Sequence, residues 1–315
     1  MNSPDKIAIV DCGTNTFNLL IASQKANDGI RFHCRERRSV KIGTRKNPKS
    51  EIPQDGLNRA YNALTSYKSI IEEAGCSTVI AVGTAALRES ANGQSFIQTV
   101  RTTLGIDIKT ISGNREATLI TKGVLGAFSP EKGCSLIVDI GGGSTEFILI
   151  DRGKIHWKKS FKLGAARLLA LHPLSDLPKR KEIRDLESYL DASLTALAKA
   201  CDLFRPVRLI GSSGSFDTLA EMILRQQDDS LGKSVHYRFK KGEYQKMHQS
   251  LICSTKKQRI GMPGMLRMRA DMIVPASILI NFVLKRFSIR SMHLSTFALK
   301  EGLLFEFLEK RKNNL

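Results

Sequence analysis

Residues Ser135 to Asp151 read SLIVDIGGGSTEFILID: an acidic residue, three glycines, a hydroxyl residue and a second acidic residue between two β-rich runs. Glycines let a backbone approach an anion closely, and successive N–H groups in a turn form a concave nest that binds phosphate. Gly141, Gly142, Gly143 and the hydroxyl of Ser144 suit that task. A carboxylate beside such a nest repels phosphate unless it holds a cation. Asp139 and Glu146 therefore point to a hard divalent ion, most simply Mg²⁺ bound partly through water. The competing reading is a tight hairpin whose glycines only turn the chain.

The stretch has a twin. Sliding the N-terminal segment by 128 positions lays IVDCGTNTFNLLI, Ile9 to Ile21, over IVDIGGGSTEFIL, Ile137 to Leu149. Asp11 falls on Asp139, Gly13 on Gly141, Thr16 on Ser144 and Asn18 on Glu146. Two related halves, each opening on a strand–turn–strand unit, account for this better than chance. Gly13, Thr14, Asn15 and Thr16 become the first phosphate loop, and Asp11 a candidate to share the metal. Asn18 stands where the second turn has a carboxylate, so most of the metal binding is assigned to the second turn.

A chain of 315 residues with 42% hydrophobic content can fill two cores. The expected halves are residues 1–126 and 127–315, with GAFSPEKG at 126–133 as the junction and KIGTRKNPKSEIP at 41–53 as a mobile loop. Between the twin turns, helices alternate with strands. Helical spacing runs from Leu57 to Ala74, about Gly93 to Leu104, Arg115 to Leu125, Lys181 to Phe204, Phe216 to Arg225 and Arg267 to Phe287, with a last helix over about 296–312. Strands are read at Thr78–Val82, Ile106–Ile111, Val207–Ile210 and Ile289–Leu294. The class is α/β, and the last helix is a candidate to pack back on the first half.

No apolar run reaches the roughly 18 residues of a membrane span. The longest, Met272 to Leu284, contains Pro275 and reads as a buried helix. The N-terminus enters a strand-like segment with no leader pattern, so a cytoplasmic protein with no membrane partner is expected. The six cysteines are scattered without metal-ligand spacing and read as free buried thiols. Lys and Arg outnumber Asp and Glu by 49 to 30, a net charge of +19 that suits a polyanionic ligand or a merely basic surface. Aromatics are only 6% and are not interleaved with basic residues, so no specific nucleic-acid partner is indicated.

The glycine turn leads into a β-rich run instead of a helix, and no GK[ST] follows it, which excludes the dinucleotide fingerprint and the Walker A loop. Paired turns of this form resemble the phosphate loops of sugar kinases, actin and heat-shock ATPases, which implies two actin-like (ribonuclease H-like) domains around a central cleft. Six segments narrow the resemblance: VDCGTNTFNLLI at 10–21, AVGTAALRESANG at 81–93, ISGNREA at 111–117, VDIGGGSTEFIL at 138–149, GSSGSFDTLA at 211–220 and RADMIVPA at 269–276. In this order they resemble the exopolyphosphatase and guanosine pentaphosphate phosphatase (Ppx/GppA) family, in the short form without its C-terminal helical domain.

The resemblance implies that Glu116 of ISGNREA is the general base and that Arg88 reaches phosphate oxygens. On the residues alone, Glu116 reads as a helix-capping partner and Arg88 as a helix arginine paired with Glu89. Gly211, Ser212, Ser213 and Gly214 form a third small-residue turn, either an anion site or a plain strand–helix turn. Departures from the family pattern are Asn18 in place of a basic residue, CGTNT for GSNS, and GSSGS for a Gly-Thr-Gly-Gly turn. The resemblance implies Mg²⁺-dependent hydrolysis of the terminal anhydride of inorganic polyphosphate, with guanosine pentaphosphate as the alternative substrate. A non-catalytic sensor and a kinase-like transferase are the rivals. A homodimer is expected because relatives commonly form one.

Overall fold

A computed structural model describes residues 5–25, 29–43, 50–129 and 132–313. The chain divides into two units, Met1–Gly123 with Leu299–Leu315, and Val124–Ala298. Each has its own hydrophobic core.

In the first unit β1 (Lys6–Cys12) turns into β2 (Thr16–Gln24), which pairs with β3 (Ile30–Ser39). Then come α1 (Gln54–Glu73), β4 (Cys76–Gly83), α2 (Ala85–Glu89), α3 (Gly93–Leu104), β5 (Ile108–Thr110) and α4 (Gly113–Ala127). The sheet order is β3-β2-β1-β4-β5, antiparallel across the hairpins and parallel from β1 to β5. β1 and β2 are almost wholly buried, as continuous apolar runs covered on both faces should be. Tyr67 of α1 is fully buried and donates its hydroxyl to the Phe17 carbonyl at 2.8 Å. Burial of a large side chain of this kind contributes about 2–3 kcal/mol, and the hydrogen bond prevents the hydroxyl from offsetting it.

The second unit repeats the plan. β6 (Ser135–Ile140), β7 (Thr145–Asp151) and β8 (Lys154–Phe161) form the meander. α5 (Ala165–Leu171), α6 (Arg180–Ser193) and α7 (Thr195–Phe204) lead to β9 (Arg208–Ser212) and α8 (Gly214–Arg225). β10 (His236–Arg238), α9 (Glu243–Ile252), α10 (Lys256–Gly261), a 3-10 turn at Arg267–Arg269, α11 (Ile273–Arg286) and β11 (Ser291–Ser295) complete it. The order β10-β11-β9-β6-β7-β8 places β8-β7-β6-β9-β11 in the roles of β3-β2-β1-β4-β5. The last helix, α12 (Leu299–Asn313), returns to the first unit and packs on β1 and β2.

Several expected boundaries move. The division falls at Gly123/Val124, inside α4, rather than at 126/127, and residues 299–315 belong to the first unit, on which the last helix was a candidate to pack. The reason is packing: α12 lays Gly302 against α4, where a Cβ would come within 1.8 Å of the Leu119 carbonyl, and Arg115 pairs with Glu306. Of the expected junction and mobile loop, 130–131 and 44–49 lie outside the described residues. The single helix expected over 181–204 is two, broken at Leu194 where ψ rises to 18°. The one expected over 267–287 is a 3-10 turn followed by α11. Pro275 falls in the first turn of α11, where no intrahelical donor is lost. No helix among the described residues is long and apolar enough to cross a membrane. The cysteines are free, but only Cys12, Cys134 and Cys201 are buried; Cys253 is exposed.

Candidate active site

The duplicated turns are the same object twice. In the first, Gly13 N–H donates to the Thr16 carbonyl at 3.1 Å and Asp11 stands opposite Asn18. In the second, Gly141 N–H donates to the Ser144 carbonyl at 3.0 Å and Asp139 stands opposite Glu146. A Cβ on Gly13 would sit 2.8 Å from the Thr16 carbonyl oxygen, so the closure requires a glycine there.

What each turn can bind follows from where its carbonyls point. Gly141 O accepts from Ala165 N–H at 2.9 Å, and Gly142 O from the N–H groups of Ala166 and Arg167, both at 3.1 Å. Gly143 O accepts from Arg167 Nε at 2.8 Å. The start of α5 thus holds three successive carbonyls. In a planar trans peptide the next residue's N–H points the opposite way, and no peptide among the described residues is cis. The N–H groups of Gly142, Gly143 and Ser144 therefore face away from α5 as a row of donors, the arrangement that cradles a phosphate. In the first turn Thr14 O accepts from Ile42 at 2.9 Å, and Asn15 O from Val40 at 2.9 Å and Lys41 at 3.1 Å. The same geometry aims the N–H groups of Asn15 and Thr16 away from that segment.

The first unit gathers more chemistry at this edge. Cys12, Gly83 and Thr110 end neighbouring parallel strands in register, and ligands in open α/β sheets sit beyond such carboxyl ends. Arg88 leaves from α2 just beyond β4, and Glu116 from the first turns of α4 just beyond β5. Arg88 approaches Glu116 at 3.9 Å while donating to the Ile111 carbonyl at 2.6 Å and to Glu89 at 3.2 Å. Glu116 is only 8% exposed. The α4 cap is Ser112, whose hydroxyl accepts from Arg115 N–H at 3.2 Å. Glu116 thus lies one residue past the position from which a capping-box glutamate reaches back. Its buried carboxylate beside an arginine is not explained by capping.

Asp11 accepts from Asn18 Nδ2 at 2.9 Å. Burial pushes its carboxyl up to about 6; Lys300 and Asn18 pull it down and Glu301 pushes it further up. Glu301 is fully buried, paired with Arg35 at 3.3 Å and Lys300 at 3.2 Å.

In the second unit Asp139 accepts from Ser212 Oγ at 2.7 Å and Glu146 from Ser160 Oγ at 2.7 Å. Both acids are buried, at 7% and 1% exposure, and directly opposite across the hairpin. Like charges so placed repel, which a cation relieves. Two carboxylates with water completing the sphere fit Mg²⁺. Among the described residues no group of three or more acid, histidine or cysteine side chains is set to hold a metal. Asp139 and Glu146 stand opposite each other, whereas Asp11 faces the Asn18 amide instead of a second carboxylate.

In the third turn, Gly211 lies within β9 under Phe216, and Gly214 packs against Arg269, whose guanidinium would be 1.7 Å from an added Cβ. These two glycines make room for side chains. Ser213 adopts φ 71°, ψ 170°, a region nearly reserved for glycine; such strain gathers at functional sites. Ser212 orients Asp139. Sequence reasoning missed α5 with Arg167, Ser160, Arg269 and Glu301. A lone acid in the apolar run FALKEGLLF was the available signal for Glu301. Arg269 opens the segment RADMIVPA, which gave it no role of its own; for α5 with Arg167 and for Ser160 no signal existed, because pairing across strands and loops places them.

Two α/β units, each opening on a hairpin whose glycine turn leaves a row of N–H donors, define a duplicated protein of the actin-like class. The chain belongs to the Ppx/GppA phosphatase family, whose model matches residues 20–311. It is 27% identical over 98% of its length to a guanosine-5'-triphosphate,3'-diphosphate pyrophosphatase of Vibrio atlanticus (strain LGP32), of which it spans 60%. Its structure matches an exopolyphosphatase from Cytophaga hutchinsonii ATCC 33406 with TM-score 0.93 and 37% identity over 97% of this chain and 98% of that one. An Aquifex aeolicus PPX-GPPA enzyme shares the fold with TM-score 0.79 and 23% identity over 96% and 99% of the two chains.

Proposed function

We propose that this chain is an exopolyphosphatase, hydrolysing the terminal phosphoanhydride of inorganic polyphosphate with Mg²⁺. The observation that carries the reading is Glu116, a buried carboxylate at the carboxyl edge of the first sheet, where the first turn's donors and Arg88 also lie. Glu116 accepts a proton from a water whose oxygen bonds to the terminal phosphorus. The bond from that phosphorus to the bridging oxygen breaks, leaving orthophosphate and a chain one unit shorter. The N–H row of the first turn, beside Glu116 and Arg88, holds non-bridging oxygens in fixed positions, so little reorganisation accompanies charge development. Arg88 exchanges its contact with Glu89 for phosphate. Asp139 and Glu146 would hold Mg²⁺, which when bound neutralises phosphate charge.

Support for a linear polymer comes from the +19 charge and from the resemblance to the Cytophaga protein at 37% identity. The second reading, conversion of guanosine pentaphosphate to tetraphosphate, is favoured by the name of the Vibrio relative. A cytoplasmic homodimer accords with either. The test is phosphate release from polyphosphate, guanosine pentaphosphate or ATP with Mg²⁺, comparing wild type with Glu116→Gln. Polyphosphate should be cleaved fastest, and the variant should lose on the order of 10²–10⁴-fold. Near-wild-type release by Glu116→Gln would sink the assigned base, and faster release from the nucleotide would exchange the two substrates.

A further inference from the structure

Opposite the phosphate edge, the second unit carries a surface that the proposed reaction does not use. β9 and β11 run parallel, with Ser291 beside Arg208, so the segments entering both strands emerge together. They lie about 13 Å along the sheet from Ser212 and Asp139, at roughly 3.3 Å per residue. Two adjoining pockets open there, of 650 Å³ and 830 Å³, and Arg290 lines both. Arg205 and Arg286 join it in the first pocket; Arg238, Lys240 and Lys241 join it in the second. All six cations are exposed. Among the described residues Asp202 is the carboxylate in the linings, and Arg286 also meets Asp191 at 3.1 Å.

We propose that this surface is a second binding site for a linear inorganic phosphate polymer, a tether for chain remote from the cleaved end. This deepens the exopolyphosphatase reading and rests on it for the ligand class. Exposed cations gain little from one small anion because water screens each of them. Spread over adjoining pockets, they gain by addition along an extended polyanion, with release of its counterions. Arginine matches phosphate oxygens two at a time. Single-stranded nucleic acid fits poorly, since it needs exposed rings for stacking. Here Phe239 and Tyr244 are buried and Arg286 covers Phe287, 5.8 Å from the ring centre.

The test measures binding, so its failure is separable from failure of the hydrolysis reading. End-labelled long-chain polyphosphate is titrated by fluorescence anisotropy with the full chain in chelator, at about 50 and about 200 mM salt. Arg290→Glu with Lys241→Glu should weaken binding at least about tenfold at the lower salt, and lower the log–log salt slope by about 1.5–2. Arg290→Lys with Lys241→Arg should retain wild-type binding, and equal melting midpoints confirm that both variants fold. Binding by the charge-reversed protein within twofold of wild type overturns the site. Single-stranded RNA of equal charge that binds as tightly as polyphosphate, and loses as much in the variant, overturns the assignment to an inorganic chain.

Discussion

Asp139 and Glu146 show what one side chain decides. The hairpin register sets them face to face, while the twin hairpin sets Asp11 against the amide of Asn18. The Asn18 amide donates to the Asp11 carboxylate at 2.9 Å, whereas the buried acid pair sets two carboxylates opposite each other, an arrangement that suits a cation. Glu146→Gln should therefore have two opposite effects. It should raise the melting midpoint in chelator, by removing a like-charge contact, and raise the Mg²⁺ concentration for half-maximal phosphate release by at least about tenfold. A Mg²⁺ titration with parallel melts checks both; a lower midpoint in chelator with an unchanged Mg²⁺ requirement contradicts the cation reading. The pattern D-x-G-x-x-[ST] was legible because it is contiguous in sequence. The bonds by which Ser212, read only as part of a third small-residue turn, and Ser160 orient the two acids were not, since each hydroxyl comes from a different strand.

Among elements, α5 has the largest effect for its size. Its first N–H groups face the carbonyls of Gly141 and Gly142 instead of an anion, which turns the following N–H groups outward. Gly164 permits the approach: a Cβ there would lie 2.4 Å from the Gly142 carbonyl. Its φ of −65° and ψ of 153° suit any residue, so Gly164→Ala acts by contact and not by backbone strain. It should cost about 1–3 kcal/mol in stability and most of the phosphate release. Urea unfolding with an activity assay tests this, and an active variant would show that the turn does not need α5. Helices with strong punctuation were read well: α3 spans Gly93–Leu104 and stops at Gly105, in the left-handed conformation, as its pattern predicts. β3 was missed because the alternation of Ile30, Phe32 and Cys34 with Arg31, His33 and Arg35 gives way to the polar run Glu36, Arg37, Arg38 and Ser39. The break at Leu194 was missed because no glycine or proline marks it.

Across the whole chain, two buried histidines couple stability to pH. Burial pushes His248 and His293 down to about 4; His248 shares a 2.7 Å hydrogen bond with Ser277, and His293 a 3.0 Å one with His236. Unfolded histidine titrates near 6.5, so between that value and about 4 the unfolded chain binds more protons. Stability is then full above about pH 6.5 and falls as the pH drops towards 4. Urea midpoints should fall from about pH 7 to about pH 5, and His248→Asn should flatten the slope; a constant wild-type midpoint contradicts this account. Local pattern determined the α/β class, the duplication and the two glycine turns, because strand alternation, glycine closure and the acid–hydroxyl spacing all act within about fifteen residues. Tertiary structure alone decided how α12 docks on β1, β2 and α4, that Asp139 faces Glu146, that α5 turns the second loop's donors outward, and that six cations share one far surface. Those contacts join residues distant in the chain, and only packing and strand register bring them together.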